Sequence, residues 1–180
     1  PYKLRQEMIN KVPINFWSKP RKVFEPCSGK GGFLVDIYNK FYEHLNVENK
    51  TKVILEECIY FSDINELNIN INKTLLDPEN KYKLNYNQGD TLELDTIKKW
   101  NIKGFDLVIG NPPYNCSGKV GTGNTIWQKF VTKALDSWVL SKRYLVFVTP
   151  SGWRKPCYKK SQLRGMFKKM TKQNQMLYLE

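Results

Sequence analysis

The sequence predicts an α/β domain built on a mainly parallel, twisted sheet with helices on both faces. Three observations carry this. Apolar runs of strand length recur at residues 22–25, 58–61, 83–86, 105–109 and 144–148. Segments with apolar residues at helical spacing separate most of them. Several runs end abruptly in a glycine, an acid or a proline, as strands do where the chain turns. Alternating strands and helices need crossover connections, which give parallel strand pairs.

Residues 1–20 hold a short helix with Leu4, Met8, Ile9 and Val12 on one face, then a connection. The first strand, 22–25, runs into a loop of small residues at 27–32. Phe33, Leu34, Ile37, Tyr38, Phe41 and Leu45 then mark a helix starting around Gly32. Residues 46–57 are polar and read as a loop, with a helical turn as the alternative. The second strand ends at Ser62-Asp63, and Ile64, Leu67, Ile71 and Leu75 mark the next helix, which stops before Asp77-Pro78. The third strand leads to Gly89-Asp90, and the fourth to Gly110 and a loop over 115–124 with Gly118, Gly121 and Gly123. Ile126, Trp127, Phe130, Val131, Ala134, Leu135 and Trp138 form a helical stripe. The fifth strand is closed by Thr149-Pro150, and a basic helix around 159–170 and a strand start near Met176 finish the chain. With no internal repeat or boundary, residues 1–180 read as a single domain long enough for a sizeable core.

Two stretches carry chemistry. The first is Glu25-Pro26-Cys27-Ser28-Gly29-Lys30-Gly31-Gly32-Phe33-Leu34. A strand, a glycine turn and a helix place backbone N–H groups at a helix N-terminus. Gly29 and Gly31 let a ligand approach the backbone with no Cβ in the way. A dinucleotide fingerprint needs a small residue where Leu34 stands, and a P-loop needs glycine at Phe24 and a hydroxyl at Gly31. Glu25 suits a cationic ligand instead, and S-adenosylmethionine carries an ammonium and a sulfonium. Asp63 could accept two bonds from ribose hydroxyls, Ile64 could pack on adenine, and Asp90 could accept from the adenine amine. Singly, each acid could equally be a cap or turn residue. All three lie at one edge of the sheet.

The second stretch is Asn111-Pro112-Pro113-Tyr114. Two prolines cannot continue a strand ladder, so an amide and an aromatic ring are displayed at the edge where open parallel sheets bind ligands. An exocyclic aromatic amine is a poor nucleophile because its lone pair is delocalised into the ring. The Asn111 side-chain carbonyl and the Pro112 main-chain carbonyl, aimed at its two hydrogens, favour a tetrahedral nitrogen. Tyr114 offers a stacking face to an extruded base. Positioning and electrostatics then suffice without a strong base.

Glu25-Pro26-x-x-Gly29-x-Gly31-x-Phe33-Leu34 with Asn111-Pro112-Pro113-Tyr114 resembles the amino-methylating DNA methyltransferases. It is similar to their adenine-N6 branch in the gamma-like motif order, as in the methylase part of combined restriction-modification enzymes. Phe147-Val148-Thr149-Pro150-Ser151-Gly152-Trp153 looks like the strand after that family's catalytic motif. The resemblance covers about residues 20–155. It implies the S-adenosylmethionine-dependent methyltransferase fold, Rossmann-like, and site-specific methyl transfer to an extruded adenine of double-stranded DNA, leaving S-adenosylhomocysteine. It implies cofactor-binding roles for Glu25, Pro26, Gly29, Gly31, Phe33, Asp63, Ile64 and Asp90. It implies catalytic roles for Asn111, Pro112, Pro113 and Tyr114. Glu25 stands where the family usually has Asp, and Ser28 where it often has Cys. The first helix lacks the Thr-Pro of the family's upstream motif. The family's base-stacking motif and target-recognition domain are not visible before Glu180. The chain starts at Pro1 without a methionine and is expected to be a catalytic fragment of something longer. It is expected to fold and bind cofactor, yet to methylate DNA poorly without a recognition domain or subunit beyond residue 180.

Formal net charge is +12, and residues 151–180 carry eight bases against one acid, Glu180, which suits a polyanionic partner. No apolar run approaches the ~20 residues of a membrane span, and no signal segment opens the chain. A soluble, intracellular protein without membrane attachment is expected. Cys27, Cys58, Cys116 and Cys157 form no C-x-x-C pair, and His44 is the single histidine, so reduced thiols and no metal are expected. Methylation of a protein glutamine is a competing reading, because release-factor methyltransferases also carry Asn-Pro-Pro-Tyr; Phe33-Leu34 favours the DNA branch. RNA amines are another. A third, of a different class, is a non-catalytic cofactor-binding module, against which the intact catalytic residues argue.

Overall fold

The computed structural model describes residues 1–115, 125–154, 161 and 163–179. Among these, five parallel strands form one sheet in the order β3-β2-β1-β4-β5. They are β1 Val23–Glu25, β2 Ile59–Asp63, β3 Asn85–Gln88, β4 Phe105–Gly110 and β5 Val139–Phe147. The order reverses between β1 and β4, and a crevice opens at the carboxyl ends of strands at such a switch point.

Alternate side chains of each strand divide between two cores. Val23, Ile59, Phe61, Leu107 and Ile109 pack with α1 (Tyr2–Asn10), α2 (Gly32–His44), α3 (Lys50–Val53) with its continuation, and α4 (Glu66–Leu76). Phe24, Tyr60 and Val108 face the other way, towards α5 (Thr96–Trp100) and α6 (Trp127–Lys133). A register irregularity between Phe105 and Leu107 turns Phe105 into this second core, where its ring stacks on Phe24 with centroids 4.7 Å apart. Phe24 is fully buried and also meets Trp138 at 5.3 Å and Trp100 at 5.8 Å. Truncating such a ring to alanine costs about 3–5 kcal/mol. No helix among the described residues is long and apolar enough to cross a membrane.

Several elements differ from the sequence reading. Within residues 46–57 the alternative of a helical turn is the one found, and it is longer than one turn: α3 runs on into a wide π-type turn, Ile54–Cys58, that buries Ile54, Leu55 and Cys58. β3 lies two residues beyond the expected 83–86, and β5 begins at Val139 rather than Tyr144. α4 stops at Leu76 as expected, but its inward face is different. Ile69 and Asn72 are buried, whereas Ile64, Leu67 and Leu75 are 71%, 64% and 52% exposed. Asn72 points inward because its amide donates to Ser28 Oγ at 2.7 Å, so a polar side chain occupies a core position. The basic helix is α7, Met166–Thr171, and residues 175–179 form no strand. The glycines expected at 118, 121 and 123, with Cys116, Cys157 and residues 155–160 of the basic segment, lie outside the described residues.

Candidate active site

β1 delivers Glu25 to the crevice, and the glycine loop follows. Gly29 (φ +51°) and Gly31 (φ +80°) take left-handed conformations that glycine adopts without strain. A Cβ on Gly31 would also collide with the Asn72 side chain. The loop is fastened from β2. Gly29 N–H donates to Asp63 Oδ2 at 2.8 Å, and Ser28 N–H to the Ser62 carbonyl at 3.0 Å. A relay of side chains braces it from below: Asn87 donates to Ser62 Oγ (3.1 Å), Ser62 meets Thr91 Oγ1 (2.7 Å), and Thr91 donates to the Pro26 carbonyl (2.8 Å).

The acids at the strand ends are not equivalent. Asp63 Oδ1 accepts from Asn65 N–H at 2.8 Å and Asn68 Nδ2 at 3.1 Å, so with Gly29 it has three donors. Asp90 is exposed and accepts from Leu92 N–H at 2.9 Å, capping the turn Thr91–Glu93. Glu25 is 2% exposed, and its Oε2 has no hydrogen-bond partner. Burial pushes its carboxyl well above the usual carboxylate range; Asp63 adds to this, Arg5 opposes it, and Asp36 adds again.

β4 places the second motif beside the first. A Cβ on Gly110 would lie 3.6 Å from Pro26 Cδ and 3.7 Å from Glu25 Cγ. A cleft of about 380 Å³ brings Glu25, Phe33 and Asn111 together, with Arg5 and Lys30 at its wall. Asn111 and Pro113 are exposed, Pro112 is buried, and Tyr114 is 41% exposed. Past the prolines the chain is pinned where it returns: Ile126 N–H donates to the Tyr114 carbonyl at 3.0 Å, and Asn115 pairs with Thr125.

The structure therefore brings Glu25, Pro26, Phe33 and Asn111 together. It leaves Ile64 and Asp90 exposed at the ends of β2 and β3. Arg5, Asp36, Asn72 and Thr91 were not singled out from the sequence. Each acts through partners far along the chain, which no local pattern reveals. Cys27 also lines the cleft, but burial pushes its thiol far up, with Glu25, Asp63 and Asp90 adding. It is no thiolate nucleophile. Among the described residues no group of acids, cysteines and histidines could hold a metal.

A parallel sheet with this strand order, a glycine loop after β1 and Asn-Pro-Pro-Tyr after β4 define an α/β domain of the methyltransferase class. The chain belongs to the Eco57I restriction-modification methylase family, whose model matches residues 33–179. Over 81 residues it is 38% identical to an uncharacterized adenine-specific methylase of Mycoplasma pneumoniae, a match covering 42% of this chain and 18% of that protein. Its fold is similar to that of a Listeria monocytogenes protein described as a class I S-adenosylmethionine-dependent methyltransferase. There the TM-score is 0.63 at 14% identity, over 97% of this chain and 51% of that one. It is also similar to a modification subunit of a protein from Vibrio vulnificus described as a type I restriction enzyme. That match has a TM-score of 0.56 at 16% identity, over 75% of this chain and 29% of that one.

Proposed function

We propose that this chain is the catalytic domain of an S-adenosylmethionine-dependent DNA methyltransferase acting on the N6 amine of adenine. The observation that carries the reading is the buried, unpartnered Oε2 of Glu25, which shares one cleft with Asn111. A buried carboxyl without a donor is costly unless a ligand supplies one. An ammonium does so, and a fully ionised phosphate has no donor to offer. The residues present fit the methionyl end of the cofactor for that reason. Family membership and the adenine-specific relative support the choice of adenine in DNA.

Bound there, S-adenosylmethionine supplies an electrophilic methyl group and is left as S-adenosylhomocysteine. Glu25 takes the ammonium, with Pro26, Gly29, Gly31 and Phe33 shaping the pocket around it. Asp90 accepts from the adenine amine and Ile64 packs on that adenine, while Asp63, which already accepts from three donors, holds the glycine loop in place rather than taking the ribose hydroxyls. Asn111 Oδ1 and the Pro112 carbonyl accept the two hydrogens of the target amine, Pro113 stiffens the turn, and Tyr114 stacks on the extruded base. As the new N–C bond forms, the surplus proton on the nitrogen passes to water. The basic segment 151–180 supplies phosphate contacts, which are blind to sequence. Base readout we assign to a further domain or subunit.

The test uses the protein at its natural length, with isotopically labelled cofactor and separate duplex DNA, RNA and glutamine-peptide substrates. Label should enter adenine of DNA. Asn111→Ala should lower that transfer about 100-fold or more, as loss of one transition-state contact does, with cofactor affinity unchanged. Label in RNA or peptide alone, or undiminished transfer by Asn111→Ala, would overturn the reading.

A further inference from the structure

We infer that Arg5 on α1 grips the carboxylate of the methionyl group, so that Arg5 and Glu25 together read a zwitterion. This rests on the cofactor reading above and names a residue for it. Arg5 lines the same cleft as Glu25 and Asn111. Its Nε donates to Asp36 Oδ2 at 2.6 Å, and its Cζ lies 5.7 Å from the Tyr2 ring centroid. The Asp36 side chain is 7% exposed, so the ion pair fixes the plane of the guanidinium against α2. The two terminal nitrogens have no hydrogen-bond partner among the described residues, and the side chain keeps 27% exposure. A mere staple between α1 and α2 would need only the Nε contact.

The first turn of α2 is shaped around this group. A Cβ on Gly32 would stand 2.8 Å from Arg5 Cζ and 3.0 Å from Nε and Nη1. Glycine at that position leaves room for the guanidinium beside the glycine loop. An α-amino acid presents an ammonium and a carboxylate on one carbon. Glu25 can take only the ammonium, and the carboxylate that arrives with it enters a site already holding Glu25 and Asp36. A cation must stand between them. The planar fork of arginine matches a carboxylate with two parallel N–H donors, which a lysine cannot do. Lys30 is the other cation on the cleft, but its side chain is exposed and unanchored.

Calorimetry tests this with two ligands: S-adenosylhomocysteine, and its analogue with an aminopropyl chain lacking the carboxylate. Wild type should bind the analogue about 10–100-fold more weakly, the scale of a lost charge-assisted pair. Arg5→Met should bind S-adenosylhomocysteine weaker by the same factor and the analogue as wild type does. Arg5→Met/Asp36→Asn, which removes the charge that Asp36 would otherwise carry unpaired, should repeat that pattern if the single variant folds poorly. Lys30→Ala should keep the full carboxylate dependence. If the Arg5 variants retain that dependence, or Lys30→Ala loses it, Arg5 is structural only and the inference is wrong. If wild type binds neither ligand, the cofactor reading itself fails, and the inference with it.

Discussion

Glu25 and Asp63 close neighbouring parallel strands and are both buried, at 2% and 8% exposure, yet they differ in what they touch. Asp63 accepts on both oxygens, from Gly29, Asn65 and Asn68. Glu25 keeps an oxygen with no donor. Asp63 has been used to build the cradle, holding the glycine loop to the start of α4. Glu25 is left for whatever enters the cradle. Burial alone does not separate a structural acid from a binding one; whether each of its oxygens already has a donor does.

The comparison is broken or sharpened first at Asp63. Asp63→Ala removes the acceptor for three donors and should cost about 3 kcal/mol or more of folding stability, measured by urea denaturation. A loss under about 1 kcal/mol with collapsed cofactor affinity would make Asp63 the binding acid. Glu25→Gln should act in the opposite sense. Affinity for S-adenosylhomocysteine should fall about 10–100-fold, the worth of a charge-assisted bond. The ligand-free variant should be more stable than wild type at pH 8. Folding raises the Glu25 carboxyl above its ordinary value of 4.5, so the folded protein holds that proton more tightly than the unfolded chain. The stability this contributes is fully present below 4.5 and is lost as pH rises through the folded value. The advantage of the variant should therefore vanish at acidic pH, as thermal melts across pH would show.

Smaller effects come from the exposed edge. Asp90→Ala removes a cap and should cost roughly 1 kcal/mol of stability, with a similar loss in cofactor binding. Ile64, 71% exposed, contributes little to the fold. Ile64→Ala should leave stability within about 0.5 kcal/mol and weaken S-adenosylhomocysteine about threefold to tenfold, as a lost apolar face does. Unchanged binding in both variants would confine recognition to the Glu25 end.

The strands, their alternation with helices and both motifs were legible because each is a local pattern. β1, β2 and β4 carry apolar runs, and Gly110-Asn111-Pro112-Pro113 leaves the chain no way to continue the ladder. The misreadings arise where a distant contact overrides local composition. Asn72 is polar yet buried, because Ser28 waits for it across the fold, so Ile64, Leu67 and Leu75 looked like the core face and are not. Residues 46–57 look polar, but Ile54 and Leu55, with Cys58 after them, are buried by a widened turn. The Arg5–Asp36 pair spans 31 residues, and nothing in either segment announces the other.

The most direct measurement of the central claim is proton exchange on binding S-adenosylhomocysteine, from calorimetry in buffers of different ionisation enthalpy at a series of pH values rising from the ordinary carboxyl value of 4.5. The ligand ammonium, an amino-acid amine beside its own carboxylate, is already charged at these pH values. If Glu25 is the acid that receives it, the ammonium must draw off a proton that burial holds more tightly than usual, and protons must be released over part of that series. The account predicts release by wild type and none by Glu25→Gln. No release by wild type, or equal release by both, would contradict it.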